Sequence, residues 1–466
     1  MISISVKKSD VDKSDTFVPE FYIYQADVRT SSLSRSGVEV KLGDISSISD
    51  GEHSAIPRNN NKGVRYLYGR NIREGTVDFD PISDAPYITK EDYDKFPRCH
   101  VSQNDVLIAI YGTVGKSAVY KEEYVGLAGI PRHIANISLN AGAPISPEYL
   151  TSVFRSKYGK AQMKSMMTGN IQQLLSLGSL RNFTIPVPDE TLLSRITDLE
   201  AEANNCQIKA SLLLKHAFNT FYDGLSFDIK GIVGSSYFSI ASKDLLNNDS
   251  WVPEFYNNEF ENVELELKDN NSGVELGEIS NLSHGEEIGS GLYIPYTDRS
   301  VGDVAFIRTS DIVNNEADLY PDYYVSSADL QQLKQKANPG DILFTKDGKI
   351  GATGMLEEID KVVLSSGVEI ISLNDKGKET GLTSEYLFTA LSTKEVGLYG
   401  AKKRAVYAST IPHLRENKLK EIIIPIIDKR HIADITADVR EAFRLKNRRK
   451  KLLLESENLI ESFLKI

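Results

Sequence analysis

The sequence contains one long unit twice, and this duplication constrains the fold more than any other feature. The segment Val18–Tyr22 (VPEFY) recurs unchanged as Val252–Tyr256, a shift of 234 residues. The same shift carries Leu42–Ile45 (LGDI) onto Leu276–Ile279 (LGEI), and two further short runs repeat in the same register. A period of this length indicates two duplicated domains, because solenoid repeats are only a few tens of residues long.

Composition and charge set limits on the class of protein. The 466 residues suggest about three domains, and 41% hydrophobic with 26% charged residues is ordinary for a globular protein. We find no signal-peptide pattern and no membrane-length apolar run, so we expect a cytoplasmic protein without membrane contact. The two cysteines do not form a disulfide or zinc pattern. A net charge of −11 argues against nucleic acid, although the distribution of charge decides binding.

Strand and turn signals recur in both units. Val38, Val40 and Leu42 alternate as in a strand. The apolar run Asp105–Tyr111 predicts a buried strand, and Asp341–Gly351 is its counterpart. Each run leads into two glycines three residues apart, which indicates positive φ angles in a hairpin turn.

A helix and a short proline-containing strand close each unit. The segment from Pro147 to about Met166 has helical character. Pro186 and Pro425 lie in short apolar strands, and a proline in a strand favours the edge of a sheet.

Long helices follow these strands. In the first copy the apolar residues recur at alternating spacings of three and four, which predicts a coiled-coil seam. The second copy begins in the same way, and the basic run Arg448–Lys451 then interrupts it. That run could face an acidic partner, DNA or water. The alternative is that each helix packs on its own domain. The predicted seam residues are Ile196, Leu199, Ala203, Cys206, Ala210 and Leu213, with Ile435, Val439 and Ala442 in the second helix.

The predicted fold class is α+β, with two repeated globular α/β domains separated by two long helices. Paired antiparallel, the helices would form a coiled coil with a pseudo-twofold axis. A helix from Leu192 to Thr220 is roughly 43 Å long, and faces of a DNA groove recur about every 34–36 Å. The predicted divisions are a first domain at 1–188, a spacer helix at 189–223, a linker at 224–237, a second domain at 238–427 and a second helix at 428–466.

These features together resemble the DNA specificity subunit of a type I restriction-modification system. The likeness lies in the Leu-Gly-[Asp/Glu]-Ile motif, the [Asn/Gly]-Asp-[Val/Ile]-Leu-x4-Gly-x-[Val/Ile]-Gly motif and the [Ile/Val]-Pro-[Val/Ile] strand before each long helix. It covers nearly the whole chain. The two units share more sequence than such domains often do, which indicates either similar half-sites or only a shared scaffold.

The resemblance implies a non-catalytic subunit with two target recognition domains, each reading half of a split double-stranded DNA site. It implies that the coiled coil docks two methyltransferase subunits, and that restriction or motor subunits are further partners. No cofactor is expected on this chain, because S-adenosylmethionine, ATP and magnesium would be bound by the partners. We also expect no metal site and no catalytic residue.

Candidate DNA contacts come from clustered cations and nearby amides. Arg58, Lys62, Arg65, Arg70 and Arg73 lie within sixteen residues, with Tyr66 and Tyr68 among them. Arginine and lysine bind phosphates, whereas arginine, asparagine and glutamine also read base edges. Most such loop residues in proteins are simply solvated. The DNA-binding candidates are Arg65, Arg70, Asn71, Lys116, Arg132, Asn170, Gln172, Arg308, Lys346, Lys349, Lys402, Lys403 and Arg404.

Other functions fit less well. Gly112–Ser117 suggests a phosphate-binding loop, but Ile110 stands where its first glycine is required. Neither a methyltransferase motif nor a Ser/His/Asp arrangement is present, and His133 fits a structural role. The main alternative is a protein–protein scaffold without DNA binding, for which the acidic net charge is natural.

Overall fold

The computed structural model describes most of the chain. The described residues are 5–8, 22, 38–59, 63–78, 87–168, 173–234, 239–247, 251–270, 272–296, 299, 302–328, 335–408 and 411–464. The first copy of the VPEFY motif, Asn170 and Gln172 lie outside them. In the second copy, Pro253–Tyr256 forms a 3₁₀ helix, for which proline at the first position is well suited.

The chain forms two compact units. Unit 1 comprises residues 1–79, 83–208 and 449–466, and unit 2 comprises 80–82 and 209–448. Each unit therefore includes part of both long helices.

Unit 1 is built around a four-stranded antiparallel sheet in the order β2-β10-β7-β8. Smaller sheets follow the orders β6-β3-β9, β4-β5 and β1-β11. Among the described strands, the one that contains Pro186 pairs with β1 alone, so the predicted edge position is confirmed. The strands are β1 (Val38–Lys41), β2 (Ser46–Asp50), β3 (Val64–Tyr66), β4 (Ile72–Arg73), β5 (Thr76–Val77), β6 (Tyr87–Ile88), β7 (Val106–Ala109), β8 (Ser117–Val119), β9 (Ala128–Gly129), β10 (Ile134–Leu139) and β11 (Thr184–Val187).

Helices cover one face of this sheet and complete the core. Ile108 and Ile137 of the sheet pack with Val153 and Phe154 of α4, as period-two and helical spacing predict. All of these side chains are buried. The helices are α1 (Leu42–Ile45), α2 (Lys90–Lys95), α3 (Glu122–Val125), α4 (Pro147–Arg155), α5 (Lys157–Met166), α6 (Leu177–Arg181) and the first long helix α7 (Glu190–Gly224).

Unit 2 repeats this arrangement. Its sheets follow the orders β13-β22-β19-β20, β14-β18-β15-β21, β16-β17, β12-β25 and β23-β24. Its helices are α8 (Ser242–Asn247), α9 (Asn258–Asn270), α10 (Leu276–Ile279), α11 (Asp375–Glu379), α12 (Ser384–Ser392), α13 (Tyr399–Arg404), α14 (Glu416–Leu419) and the second long helix α15 (Lys429–Leu464). Its strands are β12 (Val274–Glu275), β13 (Ser280–His284), β14 (Ile294–Pro295), β15 (Val304–Ile307), β16 (Ile312–Val313), β17 (Glu316–Ala317), β18 (Tyr323–Val325), β19 (Ile342–Thr345), β20 (Thr353–Met355), β21 (Val362–Leu364), β22 (Val368–Leu373), β23 (Val406–Ala408), β24 (Ile411–His413) and β25 (Ile423–Ile424).

Equivalent hydrogen bonds show that the sequence repeat is a structural repeat. Ser46 Oγ donates to the carbonyl of Leu42 at 2.6 Å, and the equivalent serine of unit 2 makes the same bond at 2.6 Å. Tyr149 Oη donates to the carbonyl of Pro186, as Tyr386 Oη does to that of Pro425, both at 2.6 Å. The retained motifs therefore specify the scaffold of each unit.

The predicted glycine turns are also confirmed. Gly112 and Gly115 have φ angles of +79° and +88°, and Gly348 and Gly351 have +66° and +88°. Glycine adopts this left-handed region without the steric cost that a Cβ would impose. The turn joins β7 to β8 in unit 1 and β19 to β20 in unit 2 as antiparallel hairpins.

In unit 1, segments of the two long helices lie side by side. Ser456 Oγ donates to Glu200 Oε1 at 2.5 Å. Ile196 shares the core cluster with Ile460 and Leu464. Residue numbers rise along one helix as they fall along the other, so the two segments are antiparallel. Ile196, Ala203 and Cys206 are buried, as predicted, whereas Leu199 is half-buried.

Unit 2 contains a second antiparallel pair. His216 Nδ1 lies 2.5 Å from Asp438 Oδ2, and Gly224 lies against Ile427 and His431. The predicted seam residues Ala210, Ile435, Val439 and Ala442 are buried, and Leu213 is half-buried next to the buried Leu214. The predicted fold class, α+β with paired long helices, is confirmed.

The basic run of the second long helix does not interrupt its packing, which corrects the sequence-based interpretation. Lys446, Arg449 and Lys450 are each at most 3% exposed. Lys446 Nζ donates to the carbonyl of Asn314 at 2.6 Å in unit 2. Arg449 Nη2 donates to the carbonyl of Gly75 at 3.1 Å in unit 1. These two cations satisfy turn carbonyls, because the long side chains reach from the helix to the tip of a hairpin.

One buried ion pair ties the helices of unit 1 to its globular part. Arg155 of α4 pairs with Glu200 of α7, and both side chains are at most 4% exposed. Glu200 also accepts the hydrogen bond from Ser456 of α15. A single carboxylate therefore joins three helices in a region from which water is largely excluded.

We predict that Arg155→Met destabilises the protein by about 3–5 kcal/mol, because it leaves the Glu200 carboxylate buried without its cation. The double variant Arg155→Met/Glu200→Leu, which removes both charges of the pair, should recover most of this loss. Urea unfolding of both variants measures the difference. A loss below about 1 kcal/mol in the single variant would show that the pair does not hold the helices.

Candidate nucleic-acid interface

Three chain segments meet at one edge of the sheets in unit 1. They are the segment after β3, the turn after β7 and the residues just before β10. The amide of Leu67 donates to the carbonyl of Gly129 at 2.9 Å, and the amide of Ile110 donates to that of His133 at 3.0 Å. Thr113 Oγ1 donates to the carbonyl of Gly69 at 3.1 Å. We call this convergence the loop edge of unit 1.

Cationic and aromatic side chains project from the loop edge of unit 1. The guanidinium carbons of Arg58 and Arg70 lie 4.6 and 4.8 Å from the centre of the Tyr68 ring. The rings of Tyr111 and His133 are stacked with centroids 5.1 Å apart. Arg132 is exposed beside His133. We call the six residues Arg58, Tyr68, Arg70, Tyr111, Arg132 and His133 the cationic platform.

The positive charge of the platform is only partly compensated. Arg58 and Arg132 are exposed, and neither forms an ion pair with any described residue. The neighbouring Asp50 is engaged by Arg98 and by His53. Glu52 accepts hydrogen bonds from two backbone amides that follow it. The surface is therefore locally positive in a chain that is acidic overall.

The pKa of His133 reflects this local positive potential. Burial lowers the pKa of His133 from its ordinary value, and the charges of Arg132, Arg58 and His53 lower it further. The imidazole is thus held in its neutral form at pH 7. In that form one ring nitrogen donates and the other accepts a hydrogen bond.

Unit 2 has the same loop edge with the same backbone. The amide of Lys346 donates to the carbonyl of Gly367 at 2.9 Å, and the amide of Asp311 donates to that of Arg308 at 2.9 Å. The second bond is equivalent to that from Asn71 to Tyr68, also 2.9 Å. The strand registers identify the equivalent positions of the two units. Tyr68 corresponds to Arg308 and Tyr111 to Asp347. Arg132 corresponds to Ser366 and His133 to Gly367.

Charges at the loop edge of unit 2 are paired. Arg308 lies 3.2 Å from Asp311 and 2.7 Å from Asp322, and it stacks on Tyr323 at 4.5 Å. Lys346 Nζ lies 2.7 Å from Glu369 Oε2. His413 Nδ1 lies 2.9 Å from Asp347 Oδ1, joining the β23-β24 hairpin to the glycine turn. The two loop edges thus share their backbone and differ in charge.

The predicted DNA contacts divide into residues with exposed or half-buried side chains and residues that the protein buries or pairs. In the first group, Arg70 and Arg132 are exposed on the cationic platform, and Arg65 is half-buried on the adjacent β3. Lys349 and Lys402 are half-buried, and Lys349 Nζ donates to the carbonyl of Ile312 at 3.1 Å.

The structure corrects the prediction at buried positions. Asn71 is 1% exposed, since its side chain accepts the Tyr68 amide and shapes the turn. Lys116 and Lys403 are 8% and 7% exposed. Lys403 and Arg404 of α13 pair with Glu264 of α9. These side chains are occupied by the protein and are not available to DNA.

Ion pairs also occupy Arg308 and Lys346, as described above. Burial alone would raise the pKa of Glu264. The charge of Arg404, the hydrogen bond from Lys268 and the charge and hydrogen bond of Lys403 outweigh burial and lower this pKa to about 2. Burial of both cations with acidic partners explains why a basic run in the sequence is not a basic surface.

Sequence reasoning missed three residues of the loop edges. Tyr111 and Asp347 directly precede the glycine turns, and this position could have identified them. His133 fits a structural residue in the sequence, but its ring is stacked on Tyr111 at the loop edge. Only the strand register brings it next to Tyr111 and the glycine turn.

Comparison with known proteins gives a family match in the second half of the chain. Residues 269–455 match the model of the family "Type I restriction modification DNA specificity domain". The resemblance predicted from the repeated motifs is therefore confirmed.

Solved structures of such subunits also match along the chain. The S subunit of a type I system from M. genitalium has a TM-score of 0.34 and 11% identity, covering 92% of this chain and 95% of that chain. The HsdS subunit from Thermoanaerobacter tengcongensis has a TM-score of 0.28 and 16% identity, covering 92% and 97%. Scores this low add nothing to the family match. No curated protein matches significantly.

The described residues contain neither a membrane-spanning helix nor a cluster of metal-binding side chains. None of their helices combines the length and apolar character of a membrane span. No group of three or more histidine, cysteine or acidic side chains in the described segments could hold a metal ion.

We predict that Arg58→Ala/Arg132→Ala raises the pKa of His133, because two nearby positive charges no longer disfavour its protonated form. The value should stay below that of a free histidine, since burial still acts. An NMR titration of the histidine ring protons, assigned with His133→Gln, measures it. An unchanged His133 titration would contradict the arrangement of the platform.

Proposed function

We propose that this chain is the non-catalytic DNA-recognition subunit of a type I restriction-modification complex. Each unit would read one half of a bipartite double-stranded site, and the paired long helices would dock two methyltransferase subunits. The single observation that carries the proposal is the match of residues 269–455 to the specificity-domain family.

Apart from residues 449–455, the first unit lies outside the matched region, and its role is inferred from the internal repeat. Both units share the strand order of the main sheet, the glycine turn and the equivalent tyrosine-to-proline hydrogen bond. A chain with two such units has two candidate reading surfaces. This supports recognition of a site in two parts.

The loop edges are the surfaces best suited to DNA. Arg58 and Arg132 can bind phosphates or donate two hydrogen bonds to guanine O6 and N7. The stacked aromatic rings stiffen the surface at little entropic cost. Local positive charge of this kind overcomes an acidic net charge, because electrostatic attraction is screened within about 8–10 Å.

The long helices support the docking part of the proposal. A shallow apolar surface on α15 is lined by Leu454, Leu459 and the polar residues Lys451, Glu455, Asn458 and Ser462. An apolar centre with a polar rim is typical of protein–protein contacts. S-adenosylmethionine, ATP and magnesium would be bound by the methyltransferase and restriction subunits, which would carry the chemistry.

A scaffold without DNA binding is the alternative, and the net charge of −11 is the observation that favours it. The scaffold hypothesis and the recognition hypothesis differ in one measurable respect. A recognition subunit enriches a defined sequence from random DNA, whereas a scaffold enriches none.

We predict that selection from a random DNA library, using the chain assembled with its methyltransferase subunit, enriches two short sequence blocks at a fixed separation. Each block should correspond to one unit. Sequencing the bound fraction after several rounds tests this, with the methyltransferase alone as the control.

Enrichment of no sequence by a complex that is shown to be assembled would reject the recognition role in favour of the scaffold. Enrichment of a single continuous block would reject reading by two separate units.

A further inference from the structure

The two loop edges have one backbone and opposite charge balances. Equivalent hydrogen bonds fix the three segments in both units. Tyr68, Tyr111 and Arg132 of unit 1 are replaced in unit 2 by Arg308, Asp347 and Ser366. The differences therefore lie in the side chains that face outward, not in the scaffold.

We propose that the two units bind DNA by chemically different means. The cationic platform of unit 1 supplies phosphate contacts and hence most of the salt-dependent affinity. The loop edge of unit 2, whose charges are already paired, contributes sequence discrimination with little salt dependence. This inference rests on the proposed function and concerns the same surfaces.

The first argument is the state of the arginines in unit 1. Arg58 and Arg132 are exposed and form no ion pair with any residue that the structure describes. Their charges can therefore neutralise DNA phosphates. Each phosphate that a protein cation neutralises releases condensed cations from the DNA, and each such contact steepens the dependence of log affinity on log salt by about 0.9.

The second argument is the arrangement around Tyr68. Arg58 and Arg70 both lie within 5 Å of the centre of one tyrosine ring. A ring face attracts a guanidinium electrostatically, and the N–H groups of Arg58 can still donate hydrogen bonds while it is stacked. The ring therefore holds both side chains in place and lowers the entropy lost when they contact DNA.

The third argument comes from unit 2. Arg308 is bound by Asp311 and Asp322, and Lys346 by Glu369. A cation that already has a protein carboxylate as its partner neutralises little phosphate charge, so its contact releases few cations from the DNA. Asp347 also places a carboxylate where unit 1 has Tyr111, and a carboxylate repels phosphate but accepts a hydrogen bond from cytosine N4.

The different binding chemistry of the two units explains why the chain carries two diverged copies. The motifs retained between the copies maintain the sheet and the turn. The positions that differ determine which chemistry each half-site meets. One unit would bring affinity and the other would add discrimination on DNA already held.

The test compares salt dependences of binding. The DNA is the sequence that selection yields, and the protein is the complex with the methyltransferase. Fluorescence anisotropy from 50 to 200 mM salt is measured for Arg58→Ala/Arg132→Ala. The matched control, Lys376→Ala/Lys378→Ala, removes two exposed positive charges from α11 of unit 2. Arg308→Gln examines the paired arginine at the loop edge of unit 2.

We expect the slope of the Arg58→Ala/Arg132→Ala complex to fall by about 1.8, so that its affinity drop over this salt range is about twelvefold smaller than that of the wild type. The control and Arg308→Gln should keep the wild-type slope. Equal thermal unfolding of Arg58→Ala/Arg132→Ala and wild type shows that the fold is retained, as expected for exposed side chains.

Two outcomes overturn the inference and are distinguishable. In the first outcome, the wild-type complex binds the selected DNA, and either Arg58→Ala/Arg132→Ala keeps the wild-type slope or Arg308→Gln lowers the slope equally. The two units then do not contribute unequally to the salt-dependent affinity, whereas DNA recognition itself is retained. In the second outcome, the wild-type complex shows no sequence preference. The proposed function is then wrong, and the inference that depends on it is wrong as well.

Discussion

Backbone hydrogen bonds at the loop edges are the constraint on which the functional surfaces depend. In each unit they hold the segment after one strand, the glycine turn and the start of the next strand at fixed distances. Because main-chain groups make these bonds, outward side chains can change without altering the scaffold. Gly112 and Gly348 permit the turn that no residue with a Cβ adopts cheaply. The proposed recognition of two different half-sites by one fold requires this separation.

The long helices are held by polar contacts as well as by an apolar seam. Glu200 joins Arg155 to Ser456 in unit 1, and Lys446 reaches the carbonyl of Asn314 in unit 2. Apolar seams of alanine and leucine can slide by a turn, whereas a buried charge has few satisfactory partners. The polar contacts therefore fix the register within each unit, and a fixed register is a requirement for any helix that spaces two reading surfaces.

Much of the scaffold could be predicted from the sequence, because repeated motifs, glycine spacing and helical periodicity are local signals. The seam residues Ile196 and Ile435 follow from spacing alone. The candidate site was less predictable, since exposure depends on partners that are distant in sequence. The sequence around Lys403 predicts a surface cation. The fold instead pairs Lys403 with Glu264, which lies far earlier in the chain. His133 joins Tyr111 only through strand register.

The central claim is that equivalent loop edges of the two units contact the two halves of one DNA site. A DNA-cleaving iron chelate tethered at Tyr111→Cys, and separately at Asp347→Cys, tests it most directly, because the native Cys99 and Cys206 are buried and should not react. The account predicts that strand breaks from position 111 cluster in one sequence block and those from position 347 in the other. Breaks from both positions in the same block, or in neither, would contradict it.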